Sequence, residues 1–147
     1  MASCSSSKNT SPSRSVNWLS FAQVQDSLRH TPKKVLVDVY ASWCIPCKKM
    51  DKVTYKNSEV VDYINKNFYA IKFDAESMDS IAYQSKLYTN SMNQNQTHNL
   101  TYEIAKDESG IAFPTTTVLD EKLNKITITK GLLFPSDMLE LLRKINE

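Results

Sequence analysis

The chain has 147 residues, a formal net charge of +2 and only 2 glycines. That length suits one domain around one core, and so small a charge gives no handle for nucleic acid or an anionic membrane surface. Two isolated glycines exclude a Gly-rich phosphate loop, 3 cysteines are too few for a disulfide scaffold, and no apolar run approaches the roughly 20 residues of a membrane helix.

Residues 1–16 are rich in Ser with Pro and Lys and lack periodicity, so they read as a disordered tether carrying Cys4. Residues 1–20 hold no apolar signal-type stretch. A cysteine followed by a polar tether resembles the start of a mature bacterial lipoprotein. That would make Cys4 a lipid anchor and place the protein in the bacterial cell envelope, periplasmic or membrane-tethered; a plain tail cysteine is the other reading.

The domain is expected over 17–147. "SFAQ" at Ser20–Gln23 has the form of a capping box, and Phe21, Val24 and Leu28 recur at helical spacing, which predicts a helix over Ser20–His30. Lys34–Tyr40 is short and β-rich, a buried strand. From Cys44 to Asn57 the pattern is helical, with Pro46 in the first turn, where a missing N–H costs little. Asn57 or Ser58 caps a further helix through Asn65, and Phe68–Glu76 is a second strand. Between Ser77 and Ala112 lies an excursion. Its "IAYQSKLYTN" suits a small hairpin, "SMNQNQTHN" a flexible loop and "LTYEIAKDE" a helix. "TTTVLD" and "KITITK" are strands joined through "DEKLN", and Ser136 caps a last helix with Met138, Leu139, Leu142 and Ile145 on its apolar face.

Val35–Met50 reads VLVDVYASWCIPCKKM, an apolar strand that carries one acid, Asp38, into two cysteines separated by Ile45 and Pro46. A lone CxxC is a weak signal. Here "AFPTTTVLD" and "TKGLLFPSDMLELL" follow, and together the three stretches resemble the thioredoxin superfamily over roughly Trp18–Asn146. The insertion before "FPTTTVLD" makes the chain more similar to secreted or periplasmic thioredoxin-like, thiol:disulfide interchange proteins than to the short cytosolic type. The resemblance implies an α/β thioredoxin fold, a central mixed β-sheet flanked by helices, with an inserted hairpin/helix segment at about 77–98. Three positions depart from the family: Ile45 replaces the usual glycine, Tyr40 a common tryptophan, and Ala70 stands near the place of a lysine that neighbours the buried acid. Lys72, two residues on, shares the strand face of Ala70.

A thiolate at a helix N-terminus sits among unpaired N–H groups and the positive end of the dipole, and a CxxC thiol there can fall to a pKa of roughly 3.5–7.5. Cys44, read as the first residue of its helix, is then the nucleophile. Cys47 returns to the same side within disulfide reach. The expected reaction is thiol–disulfide exchange, Cys44 attacking and Cys47 resolving the mixed disulfide. By resemblance, Asp38 lies beneath the cysteines and takes the Cys47 proton, and Pro114 follows a cis bond and faces the CxxC. Trp43, Ile45, Pro46, Phe113 and Pro114 are the expected substrate contacts. The expected partners are protein dithiols or disulfides and a redox partner that recycles the pair, with the chain a monomer and without cofactor or metal. The x-Pro dipeptide resembles that of reducing members, which favours a reductase.

Two other readings stay open. Cys44, Cys47, His30 and His98 could supply the four ligands of a zinc site. Alternatively the chain is a non-catalytic thioredoxin-fold binding module with a structural CxxC disulfide.

Overall fold

The computed structural model describes residues 15–90 and 96–147. Cys4, most of the tether and residues 91–95 of the polar loop lie outside them. Five strands form one sheet in the order β1-β3-β2-β6-β7 (Trp18–Leu19, Phe68–Asp74, Lys34–Tyr40, Thr115–Leu119 and Lys125–Lys130). β1, β3 and β2 are mutually parallel, β6 is antiparallel to β2, and β7 is antiparallel to β6. The helices are α1 (Phe21–Leu28), α2 (Ile45–Val53), α3 (Ser58–Asn67), α4 (Asn99–Ile104) and α5 (Pro135–Ile145). This is the expected mixed sheet flanked by helices.

β2 is covered on both faces, so its apolar run is continuous rather than alternating. Val35, Val37 and Val39 pack with Phe21, Val24, Ile71, Phe73, Leu100 and Ile104 on the α1 and α4 side. Leu36 packs with Ala70, Val118, Met50, Val60, Ile64 and Leu142 on the other. A period of two places Asp38 on the same face as Leu36. The acid therefore enters the core side that α2, α3 and α5 cover.

The local signals act as their chemistry requires. Ser20 and Gln23 form the capping box reciprocally, at 3.1 and 2.9 Å, and Asn57 rather than Ser58 caps α3 by accepting from the Val60 N–H. Val16, at the end of the segment read as a tether, is buried in the core, and the Asn65 side chain bonds the backbone at Ser15 and Asn17.

Three details differ from the sequence expectation. β1 is two residues long, too short for a periodic signal, and exists because Trp18 and Leu19 pair with Ala70 and Ile71. α2 stops at Val53. The poor helix formers Val53, Thr54 and Tyr55 end it, and the N–H groups of Thr54 and Tyr55 both reach the Met50 carbonyl, at 2.9 and 3.0 Å, so Tyr55 turns into the core. Ser136 does not cap α5. Phe134 is the cap residue and Pro135 the first helical position, where proline's fixed φ is pre-organised, while Asp137 accepts from the Phe134 N–H at 3.2 Å.

The excursion is a hairpin, β4 (Ile81–Tyr83) and β5 (Lys86–Tyr88), followed by α4. Gln84 and Ser85 at its tip both have positive φ, an arrangement that normally selects Asn or Gly. Gln25 of α1 secures it by donating to the Ala82 carbonyl and accepting from the Gln84 N–H.

Candidate active site

Cys44 and Cys47 are joined as a disulfide, with Cα atoms 5.3 Å apart. Cys44 is not the first helical residue of α2 but its N-cap. Its sulfur accepts the Cys47 backbone N–H at 3.2 Å, the place a Ser or Asp oxygen takes in an ordinary cap. The same N–H and the helix dipole would hold a thiolate on Cys44 once the bond is reduced. Both residues are buried, each 3% exposed, against Ala41, Tyr40 and Phe113. Lys48 and Lys49 point to solvent.

Around this pair stands an apolar rim. Trp43 is 64% and Ile45 77% exposed, and Trp43 meets Phe113 edge-to-face at 6.0 Å. Pro46 is exposed and Pro114 buried. The Phe113–Pro114 peptide bond is cis. Its loop is closed by Thr115 Oγ1 donating to the Ala112 carbonyl at 2.7 Å and by the Gly131 N–H on the Pro114 carbonyl at 2.8 Å. Gly131, at φ +94°, supplies a turn conformation that side chains resist.

Asp38 is 2% exposed, and its Oδ2 receives Lys72 Nζ at 2.8 Å. Lys72 is the register partner of Asp38 on β3 and also bonds Asp51, one turn beyond Cys47 on α2. The ammonium lies 4.6, 5.3 and 5.6 Å from the ring centroids of Tyr40, Trp18 and Tyr55, a cation–π enclosure completed by two carboxylates. Burial pushes the Asp38 carboxyl above its usual range, with the Lys72 charge and hydrogen bond opposing it. Burial works against the charge of Lys72, but Asp38 and Asp51 together outweigh it and hold the ammonium above its ordinary value.

The zinc donors do not assemble. Both ring nitrogens of buried His98 are engaged, Nε2 with the Asp79 carbonyl at 2.7 Å and Nδ1 with the Leu100 N–H at 3.2 Å, and His30 is exposed beyond the end of α1. Among the described residues no group of three His, Cys, Asp or Glu is placed to hold a metal.

Residues 4–136 match the model of the Thioredox_DsbH family, described as "Protein of unknown function, DUF255". The chain belongs to this family. It is 33% identical over 67 residues to thioredoxin-like protein slr0233 of Synechocystis, an alignment covering 46% of this chain and 61% of that one. It is 36% identical over 53 residues to the thiol:disulfide interchange protein DsbD of Pseudoalteromonas atlantica, covering 35% of this chain and 9% of DsbD. The chain therefore spans less than two thirds of these curated relatives. A solved structure titled DsbH oxidoreductase superposes with a TM-score of 0.57 at 15% identity, covering 90% of this chain and 83% of its own. That likeness shows the fold. This Thioredox_DsbH chain has the thioredoxin fold, and the CxxC stretch lies at the β2–α2 junction.

Sequence reading missed three residues at this site and left Lys72 unassigned. Asp51 sits four residues after Cys47, hence on the same side of α2, which was readable. Thr116 is the cross-strand partner of Asp38, knowable only from the β2–β6 register. Tyr55 depends on where α2 ends, which propensity alone places loosely.

Proposed function

We propose that the protein is a thiol–disulfide oxidoreductase acting on protein disulfides through Cys44 and Cys47. The observation that carries the reading is the Cys44 sulfur as N-cap acceptor of α2, disulfide-bonded to the next turn. In the reduced state the Cys44 thiolate attacks a substrate disulfide, forming a mixed disulfide and releasing one substrate thiolate, which takes a proton from water. Cys47 passes its proton to Asp38 and attacks Cys44 Sγ. The Cys44–Cys47 disulfide forms, the second substrate sulfur leaves as a thiolate and takes a proton from water, and two electrons have moved to the substrate. Asp38 suits the base role because burial has already raised its proton affinity.

Trp43, Ile45, Pro46, Phe113 and Pro114 form the substrate-contacting surface, supported by the exposure of the first three and the packing of Phe113 on the cysteine cluster. We assign the reducing direction on the Ile-Pro dipeptide, and a thiol-donating partner must then restore the dithiol. The named interchange relative and the Cys4-bearing tether support a bacterial envelope location with a lipid on Cys4. No described helix is long and apolar enough to cross a membrane. Insulin reduction with dithiothreitol tests the activity. Cys44→Ser abolishes turnover, and Cys47→Ser accumulates covalent mixed disulfides that dithiothreitol releases. Absence of both turnover and trapping means a binding module with an inert disulfide.

A further inference from the structure

Lys72 holds Oδ2 of Asp38, but Oδ1 is buried without a hydrogen-bond partner. Two hydroxyls in the same region of the core share that condition, Tyr55 Oη and Thr116 Oγ1. Their placement is fixed by contacts that do not depend on one another. Thr116 lies directly opposite Asp38 in the β2–β6 register, and cross-strand partners project to the same face. Tyr55 comes from the turn after α2 and lies against the same ammonium, its ring centroid 5.6 Å from the Lys72 Nζ that sits 2.8 Å from Asp38. Trp18 meets Tyr55 edge-on at 5.0 Å and closes the outer side.

Leaving three buried oxygens unpaired would be costly, about 1–3 kcal/mol each, and Phe and Val would fill these two positions without that cost. Hydroxyls have one property that the other neighbours of Asp38 lack. A hydroxyl can donate to a carboxylate and, by rotating, accept from a carboxylic acid. The Lys72 ammonium only donates. The other titratable groups coupled to Asp38 are Asp51 of α2 and Tyr40 on its own strand, and Tyr40 is only half-buried beneath Lys72; the Cys44–Cys47 pair of α2 enters through the proton transfer proposed above.

Taking Asp38 as the base proposed above, we infer that Tyr55 and Thr116 are its positioning residues, two rotatable hydroxyls that satisfy Oδ1 in both charge states. When Asp38 is ionised they donate to Oδ1. When it has taken the Cys47 proton, Oδ1–H donates to one of them, and that hydroxyl turns its own O–H to the other. No buried oxygen is orphaned at either stage. Burial, and then the Asp38 charge, hold the Tyr55 hydroxyl well above its ordinary range against the opposing effect of the neighbouring Thr116 hydroxyl, near enough to exchange a hydrogen bond with it, so Tyr55 keeps the proton it donates.

Hydrogen bonds to the charged form are roughly twice as strong as those to the neutral one, so removing either hydroxyl raises the proton affinity of Asp38. The test is the titration of the Asp38 carboxyl carbon by 13C NMR in the oxidised full chain. Tyr55→Phe, which keeps the ring beside Lys72, and Thr116→Val each move the midpoint upward by about one pH unit. Thr116→Ser leaves it in place, which separates the hydroxyl from simple packing. The pH dependence of mixed-disulfide resolution shifts by the same amount. Unmoved or lowered midpoints in Tyr55→Phe and Thr116→Val overturn the inference, and if Tyr55→Phe does not fold the Val and Ser variants of Thr116 decide it alone. An Asp38→Asn variant that resolves mixed disulfides at the wild-type rate instead refutes the base assignment, a result the NMR midpoints cannot mimic.

Discussion

Lys72→Met is the most informative perturbation of the polar nest. It removes the ammonium that bridges Asp38 and Asp51 while keeping an unbranched chain to fill the space between Trp18, Tyr40 and Tyr55. Asp38, at 2% exposure, cannot be rehydrated without opening the core. If it stays ionised, breaking a buried pair costs about 3–5 kcal/mol. If it takes a proton instead, the ordinary aspartate value of 3.8 lies about 3.2 pH units below neutrality, and at about 1.36 kcal/mol per unit the penalty reaches at most about 4 kcal/mol. Wild type already bears part of this, because burial has raised its own carboxyl, and methionine regains apolar contact with the rings. The expected net loss is about 2–3 kcal/mol at pH 7. Asp51 contributes little to it, since its side chain is 40% exposed. The sign follows from linkage. The folded-state proton affinity of Asp38 exceeds the unfolded one in both proteins, and more so in the variant, so the deficit opens only as pH rises through the wild-type folded value, itself above 3.8, and vanishes below it, where the folded carboxyl is protonated in both proteins. Urea denaturation with the disulfide intact, at pH 8, 7, 5 and 4, measures it. A gap that stays constant across that range, or no gap at pH 7, refutes the electrostatic account.

Asp38→Asn slows release of the mixed disulfide more than its formation, because only resolution needs the Cys47 proton removed; stopped-flow rates that fall equally contradict this. Trp43→Ala raises KM for a protein disulfide about tenfold, the equivalent of about 1.4 kcal/mol of lost apolar contact, with kcat little changed, and leaves reduction of a small-molecule disulfide untouched; a kcat loss of the same size would place Trp43 elsewhere in the reaction. Lys130→Met frees Asp107, whose carboxyl the Lys130 and Ser109 hydrogen bonds hold at about 2, and an NMR titration shows it returning towards 3.8. The stability this group contributes is present above its ordinary value and lost as pH falls towards 2, so the variant's acid unfolding curve lacks that component.

What the sequence made legible is what short-range chemistry controls. Ser20 and Gln23 announce α1, β-rich composition announces β6, alternation announces β7, and the CxxC placed after an acid-bearing strand announces the β2–α2 junction. Lys72 was visible as a residue on the correct strand face. Its pairing with Asp38 becomes evident only when β2 and β3 are set in register, because Asp38 and Lys72 are separated by 34 residues. The same applies to Thr116, which reads as one of three equivalent threonines until β6 is paired. In "TTTVL" alternation sends Thr115 and Thr117 to one face and Thr116 to the other, and Thr117 satisfies itself on the Ile104 carbonyl at 2.9 Å. A threonine with a local partner and one without are indistinguishable in the sequence.

Two of the positions that depart from the family pattern, Ala70 and Tyr40, lie beside Lys72. Small Ala70 pairs with Trp18 of β1 and Leu36 of β2 within an apolar core, and the cation stands two residues further along the strand. At Lys72 the ammonium reaches Asp38 from its own register position and meets Asp51 near the surface. Tyr40, two residues beyond Asp38 on the same face, lies 4.6 Å from the ammonium while its ring also packs on the cysteine cluster. One aromatic ring thus touches both the cation that holds Asp38 and the pocket that holds the disulfide. On the proposed reading, any change in the Asp38 charge during resolution is felt by Lys72 and, through Tyr40, by the packing around Cys44 and Cys47. Tyr40 thus links the polar group around Asp38 to the apolar pocket around the cysteines, and on the proposed reading altering Lys72 disturbs the proton step before it disturbs the rim of Trp43 and Ile45.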